Sequence, residues 1–252
     1  MSGRTLLGVW AHPDDEAYLT AGLMLEHVAR GDRVVLVTAT LGERGTSDAV
    51  AWPPSRLAPH RHAELIASLA VLGVHDLRLL GFEDGGCDTV DGTDLVIEQI
   101  EDVRPDVIVT FGPDGMTGHP DHRAVSRWTT DAWRSTGSGA ELWYATVTPQ
   151  FHEEWGPVNE ALGLWADQPV PPSTARHDLH HLIELSEAQL DAKMAALAEH
   201  HSQTAPLAEL MGTGAYRRWW ATEAFRTASR CAPELTVSAS GCGSPGSYSQ
   251  PW

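Results

Sequence analysis

Leu6-Leu7-Gly8-Val9-Trp10-Ala11-His12-Pro13-Asp14-Asp15-Glu16-Ala17 is the stretch on which the fold turns. Its first half has the length and unbroken apolarity of a strand buried on both faces, as parallel strands are. Beyond it, Ala17, Ala21, Leu25 and Val28 recur at helical spacing as far as Arg30-Gly31, a basic last turn followed by a glycine stop. The acidic hexapeptide Ala11 to Glu16 therefore reads as a strand-to-helix turn at the carboxyl end of a first strand, the place where open parallel sheets bind ligands.

So much charge at such a turn suits a metal ion. His12 and Asp15, three residues apart in the first turn of a helix, lie on one side of it. An imidazole nitrogen and a carboxylate oxygen can then reach a common point, and on the residues alone Asp14 could stand in for Asp15. Two side chains are one short of the three protein ligands of a catalytic zinc. A second turn of the same design supplies the third. Strand Val107-Ile108-Val109-Thr110-Phe111 runs through a glycine-rich turn into Gly118-His119-Pro120-Asp121-His122, with two histidines at i, i+3 opening a helix. A helix cap accounts for one such turn, whereas two at two strand ends imply a shared metal. Zinc is the expected ion, and two nitrogens with a carboxylate also suit iron(II).

The rest of the chain alternates strand and helix. Arg33 to Thr40, Leu77 to Phe82 and Leu142 to Val147 read as strands, the last expected to complete the core sheet. Helical periodicity marks Arg61 to Leu72, Asp94 to Val103, the residues after His122, and Ser186 to about Glu199, where Ser186 and Gln189 make a capping box. This is an α/β chain with a mostly parallel sheet. The loop from Leu41 through Pro54 is long enough to serve as a flap over the site. Residues 149–178, with Pro149, Pro157, Pro169, Pro171 and Pro172, read as loop-rich, either a cover over the site or a contact in a homo-oligomer. His180 to Leu185 reads as an edge strand with His180 and His181 at the surface. Tyr216, Trp219, Trp220 and Phe225 suggest one last amphipathic helix. One domain is expected over 1–230, with 149–230 completing the pocket, and the Gly/Ser/Pro-rich segment 231–252 is expected to be a disordered tail.

Composition narrows the partners. Lys+Arg 17 against Asp+Glu 34 gives a net charge of −17, a surface that repels nucleic acid and anionic headgroups. The longest apolar runs fall far short of the ~20 residues that span a bilayer, and the first leads straight into the acidic turn rather than a cleavage site, so a cytoplasmic location is expected. Cys87, Cys231 and Cys242 lack Cys-x-x-Cys spacing, which leaves any metal to His and Asp. Cys87 reads as a small buried residue rather than a reactive thiol. The first turn has no Gly-x-Gly-x-x-Gly to approach a pyrophosphate, which argues against a dinucleotide-binding protein.

His12-Pro13-Asp14-Asp15-Glu16 and His119-Pro120-Asp121-His122 together resemble the paired signature of the zinc-dependent N-deacetylases of the PIG-L/LmbE type. The similarity runs from about Leu6 to Gln203, dense at the two motifs and thin between them. It implies a Rossmann-like three-layer sandwich in which His12, Asp15 and His122 hold zinc and Asp14 is the general base. His119 would face the developing oxyanion as a cation or a hydrogen-bond donor. Asp121 would orient His119, and Glu16 would cap the helix or support a ligand. The resemblance also carries Arg61, in an Arg-x-x-Glu with Glu64, and Asp84 over as substrate-binding residues, Asp84 for sugar hydroxyls. On the residues alone these read equally as a surface ion pair and an Asp-Gly turn. A Lys193-(x)6-His200-x-Ser202-Gln203 ending puts His200 at the border of the pocket. One departure is Thr117, which stands two residues before His119 where some mycothiol-pathway relatives have a tyrosine.

The function so implied is hydrolysis of the acetamide of an N-acetylated amino sugar, an N-acetylglucosaminyl conjugate, by metal-activated water. The alternatives are an amidase acting on a thiol or other sugar-amide conjugate, a metal-dependent phosphoesterase, and a metal- or sugar-binding module without turnover. Asp14 speaks against the last, because holding a metal does not need a second carboxylate there.

Overall fold

Seven strands, β1 (Thr5–Trp10), β2 (Arg33–Thr38), β3 (Asp76–Leu79), β4 (Val107–Phe111), β5 (Glu141–Thr146), β6 (His181–Glu184) and β7 (Thr222–Thr227), form one sheet in the order β3-β2-β1-β4-β5-β7-β6. The coordinates are a computed structural model that describes residues 3–164 and 172–229. The first five strands pair in parallel, while β7 runs antiparallel to both β5 and β6. Among the described residues eight α-helices connect them: α1 (Asp15–Ala29), α2 (Pro54–Val71), α3 (Thr93–Val103), α4 (Pro120–Thr136), α5 (Pro149–Ala161), α6 (Glu187–Glu199), α7 (His201–Met211) and α8 (Thr213–Trp219).

From β1 the chain steps outward through β2 to β3, and from β4 it steps the opposite way to β5. Right-handed crossovers in opposite directions place their helices on opposite faces. Accordingly α1, α2 and α6 pack together, and α3 packs on α4. The turns after β1 and β4 diverge to opposite faces and leave a crevice between them, the switch point of the sheet. Register sets both strand ends at one level, with Leu6 opposite Val107 and Gly8 opposite Val109. Trp10 and Phe111, the last residues of the two strands, are fully buried and meet edge to face with ring centroids 4.8 Å apart. They form the floor under the crevice, and Trp10→Ala is of the kind that costs about 3–5 kcal/mol.

Three expectations are corrected. The sheet is not complete at β5, because β7 and β6 extend it. Phe225 belongs to β7 rather than to a last helix: Glu223, Ala224 and Phe225 are all buried between two neighbouring strands, so the alternation that marks a half-exposed strand is missing. Residues 149–161 are a helix and not a loop. Thr148 caps it, accepting from Phe151 N, and Pro149 occupies the first turn, where a missing N–H leaves nothing unbonded. Pro169, Pro171 and the expected tail lie outside the described residues. Helix α2 also begins earlier than its apolar periodicity suggests, at Pro54.

Candidate metal centre and active site

The first turn is held by its own carboxylates. Asp15 Oδ2 accepts from His12 N at 2.8 Å, and Glu16 Oε2 accepts from Asp14 N at 3.0 Å. Asp14 itself is left-handed, with φ 108°, so its side chain leaves the turn in a different direction from that of Asp15. A non-glycine residue at such a φ stores about 1–3 kcal/mol of strain, kept only where the surroundings enforce it.

At the second turn, His119 is the N-cap of α4, its Nδ1 accepting from Asp121 N at 3.2 Å. A ring nitrogen that accepts carries no proton, so neutral His119 bears its hydrogen on Nε2. Burial, followed by the charge on His12, lowers the His119 pKa and favours that neutral form. His122 Nδ1 donates to Gly115 O at 3.0 Å, and the ring stacks on Phe111 at 4.1 Å and 9°. Its Nε2 lone pair therefore faces inward. Burial, then the charges of His12 and His119, hold its pKa well below the usual histidine range.

His12 joins the two turns. Its Nε2 lies 3.1 Å from both Asp121 Oδ2 and Asp84 Oδ1, and donates to them. That leaves Nδ1 as the lone-pair nitrogen, 3.1 Å from His122 Nε2 and 3.7 Å from Asp15 Oδ2. The other oxygen of Asp15, Oδ1, lies 3.4 Å from His122 Nε2, so the carboxylate faces the two nitrogens with one oxygen toward each. A tetrahedral zinc with bonds of ~2.0–2.2 Å spaces its ligand atoms about 3.3–3.6 Å apart, close to the separations of the two nitrogens from each other and of each from its nearer Asp15 oxygen. Carboxylates behind the far nitrogen of a ligating histidine are the usual outer support of such a site. His12 also clusters with His119 and His122, and with Asp84 and Asp121. His119 is the poorer ligand, because ligation through Nε2 would set the proton of Nδ1 against the N–H of Asp121.

The charges favour a cation as well. Burial raises Asp14 and Asp15 to about 6, offset in part by Arg61 for Asp14 and by His12 for Asp15. Burial works against a charged His12, yet hydrogen bonds to Asp121 and Asp84 and the charge of Asp15 outweigh it and push the imidazole up to about 10. Asp84 also overcomes burial through His12, settling at about 2. Without an ion, His12 is therefore the one cationic imidazole among four carboxylates and two neutral rings, with a proton on Nδ1 as well as on Nε2; a divalent ion would displace the Nδ1 proton to take that lone pair and would answer the remaining negative charge.

Four of the expected site residues are held by contacts within the chain. Asp84 accepts from His12 through Oδ1 and from Arg44 N through Oδ2 at 2.8 Å, so its carboxylate supports His12. Asp121 orients His12 rather than His119: its side chain is fully buried and also accepts from Gly85 N and Cys87 N. Arg61 is 4% exposed and donates to Gly42 O, Pro13 O and Asp14 Oδ2, so it clamps the Pro13–Asp14 turn against the loop at Gly42. Gly42, at φ 61°, leaves room for it; a Cβ there would collide with the guanidinium. Glu64 does not pair with Arg61 but accepts from Ser202 N and Oγ. His200 is 0% exposed and donates from Nε2 to Glu16 Oε1 at 2.7 Å, beneath the pocket rather than at its border. The residue reading missed the Gly115 carbonyl and the Phe111 ring that fix His122, because a backbone acceptor has no side-chain signature.

The PIG-L profile, GlcNAc-PI de-N-acetylase, matches residues 7–133. A 1D-myo-inositol 2-acetamido-2-deoxy-alpha-D-glucopyranoside deacetylase from Rhodococcus jostii is 35% identical, over 81% of this chain and 82% of its own. One of the same name from Streptomyces griseus is 32% identical, over 81% and 76%. Among solved structures, the N,N'-diacetylchitobiose deacetylase from Pyrococcus horikoshii shares the fold, with a TM-score of 0.61 at 19% identity, covering 93% of this chain and 88% of its own. With both signature turns in place and that extent of similarity, the chain belongs to the PIG-L, or GlcNAc-PI de-N-acetylase, family.

Proposed function

We propose that the protein removes the acetyl group from an N-acetylated amino sugar conjugate, with zinc held by His12, Asp15 and His122. The observation that carries this reading is the meeting of His12 Nδ1 and His122 Nε2 at 3.1 Å with the Asp15 carboxylate, Oδ2 3.7 Å from the first and Oδ1 3.4 Å from the second, and with the His119 ring 4.9 and 5.1 Å from the two imidazoles. The curated relatives, named as deacetylases of an acetamido sugar, support it.

When bound, the metal supplies a Lewis acid that polarises the amide carbonyl and acidifies water. The chain supplies the rest. Asp14, held at φ 108° and steered by Arg61 at 3.3 Å, takes a proton from the attacking water as its oxygen bonds to the carbonyl carbon. His119 donates from Nε2 to the oxygen on which negative charge develops. Asp14 then returns the proton to the nitrogen as the C–N bond breaks, and acetate and the free amine leave. Asp84 and Asp121 keep the His12 ring turned so that Nδ1 faces inward.

The test is amine release from N-acetylglucosamine glycosides, glycolipids and thiol conjugates by metal-loaded protein. Stoichiometric amine and acetate, abolished by a chelator and restored by zinc, are expected. Tight binding of one of these compounds with no amine released would instead assign a binding module.

A further inference from the structure

The left-handed turn at Asp14 is gripped from two sides, and one grip comes from the far end of the chain. Arg61 on α2 donates to Pro13 O and Asp14 Oδ2. The Asp14 N–H is fixed by Glu16 Oε2 at 3.0 Å, and the other oxygen of Glu16 accepts from His200 Nε2 at 2.7 Å. No other hydrogen bond reaches the Glu16 carboxylate among the described residues. Glu16 and His200 are both 0% exposed, so this carboxylate keeps its charge and its aim only while a donor faces it.

His200 stands where α6 ends and α7 begins, with φ −77° and ψ 44°, a backbone that belongs to neither helix. The junction is locked in place. His200 N donates to Leu197 O, the His200 carbonyl accepts from Gln203 N and Thr204 N, and Ser202 N and Oγ donate to Glu64 on α2. Glu64 lies one turn from Arg61, so the two grips on Asp14 are tied to each other behind the turn. Packing alone does not account for a histidine here. Its Nδ1 is buried without a hydrogen-bond partner, and an orphaned polar atom in a native interior calls for a reason. We propose, on the basis of the deacetylase reading above, that His200 is a positioning residue of the reaction, anchoring Glu16 so that Glu16 holds the Asp14 amide and with it the general base. Asp15 is secured separately, by its own bond to His12 N, so the ligand set does not depend on this chain of contacts.

The test follows amine release from the methyl glycoside of N-acetylglucosamine by zinc-loaded protein. His200→Leu removes the donor and is expected to lower kcat by about 10–100-fold, the cost of a catalytic group displaced by about 1 Å. Zinc stays stoichiometric and KM stays within about threefold of wild type, the pattern of an interaction that matters in the transition state. His200→Gln, whose amide N–H reaches the place of Nε2, restores most of the lost kcat. Where His200→Leu fails to fold, His200→Leu combined with Glu16→Gln leaves no unpaired buried carboxylate, and its kcat stays low because an unanchored glutamine does not hold the Asp14 amide. Wild-type kcat in either folded variant overturns this inference and leaves the deacetylase reading standing. So does a kcat that His200→Gln fails to restore, or one that falls in step with zinc content. Absence of amine release from the wild type overturns the deacetylase reading and this inference with it.

Discussion

Asp14 and Asp15 are neighbours with the same functional group, and the backbone alone separates their roles. Asp15 opens α1 and points toward His122, whereas Asp14 is turned away at φ 108° and held there by Glu16 on its N–H and Arg61 on its carboxylate. Glu16 is in turn held by His200. Because Asp14 makes no contact with the proposed ligand atoms, Asp14→Asn is expected to keep stoichiometric zinc and lose kcat by about 10²–10⁴, the range of a general base. Elemental analysis beside steady-state kinetics checks it, and loss of zinc in this variant but not in Asp15→Asn would exchange the two roles. Asp84 makes the opposite case. Since its carboxylate backs His12, Asp84→Asn is expected to weaken metal affinity by about 10–100-fold, with little selective change in KM for a sugar over a minimal acetamide. A competitive chelator titration reads the first effect, and a KM increase confined to the sugar would return Asp84 to substrate binding.

Between elements, the buried pair Lys193–Glu223 ties α6 and β7 to the middle of α1. Lys193 Nζ donates to Glu223 Oε1 at 2.8 Å and to Tyr18 O at 2.6 Å, while Glu223 accepts from Gly22 N and Leu23 N. Both side chains are essentially inaccessible, 0% and 1% exposed. Gly22 permits this approach, since a Cβ there would collide with the Leu185 side chain. The pair sets the position of the helix whose first turn carries Asp14, Asp15 and Glu16. Removing one partner of a buried pair costs about 3–5 kcal/mol, so Lys193→Met is expected to lower the urea midpoint sharply. Lys193→Met combined with Glu223→Gln recovers much of that loss, because no uncompensated charge is left. Equal midpoints for the single variant and wild type would show that the pair does not hold α1.

Across the whole molecule, the proposed centre draws on both halves of the sheet, His12 and Asp15 after β1 and His122 after β4. An ion there staples the switch point. Binding to the folded chain alone adds about 2.7 kcal/mol at a concentration 100 times Kd. For a chain of this size 1 kcal/mol corresponds to about 2–4 °C. Zinc is therefore expected to raise Tm by roughly 5–10 °C over chelated protein, and His122→Ala to abolish the rise. A rise that persists undiminished in His122→Ala would place the ion elsewhere.

What the sequence determined by itself was local. The apolar runs before His12 and before Gly118, the helical periodicity after Ala17 and after His122, and the Ser186–Gln189 capping box all depend on residues a few positions apart, and each stands where it was read. The pairing of two His-Pro-Asp turns was legible for the same reason, since each turn carries its own spacing. The tertiary structure alone decided what the intervening polar residues touch. Arg61 meets Asp14 across 47 positions and His200 meets Glu16 across 184, and no periodicity encodes such a contact. Strand β7 escaped notice because it is buried between two strands and shows no alternation, and α5 because prolines at a helix start look like those of a loop. Asp84 and Asp121 show the limit most plainly: a carboxylate's residue type states that it can accept hydrogen bonds, and only the packing of α4 against the turn after β3 decided that it accepts them from His12.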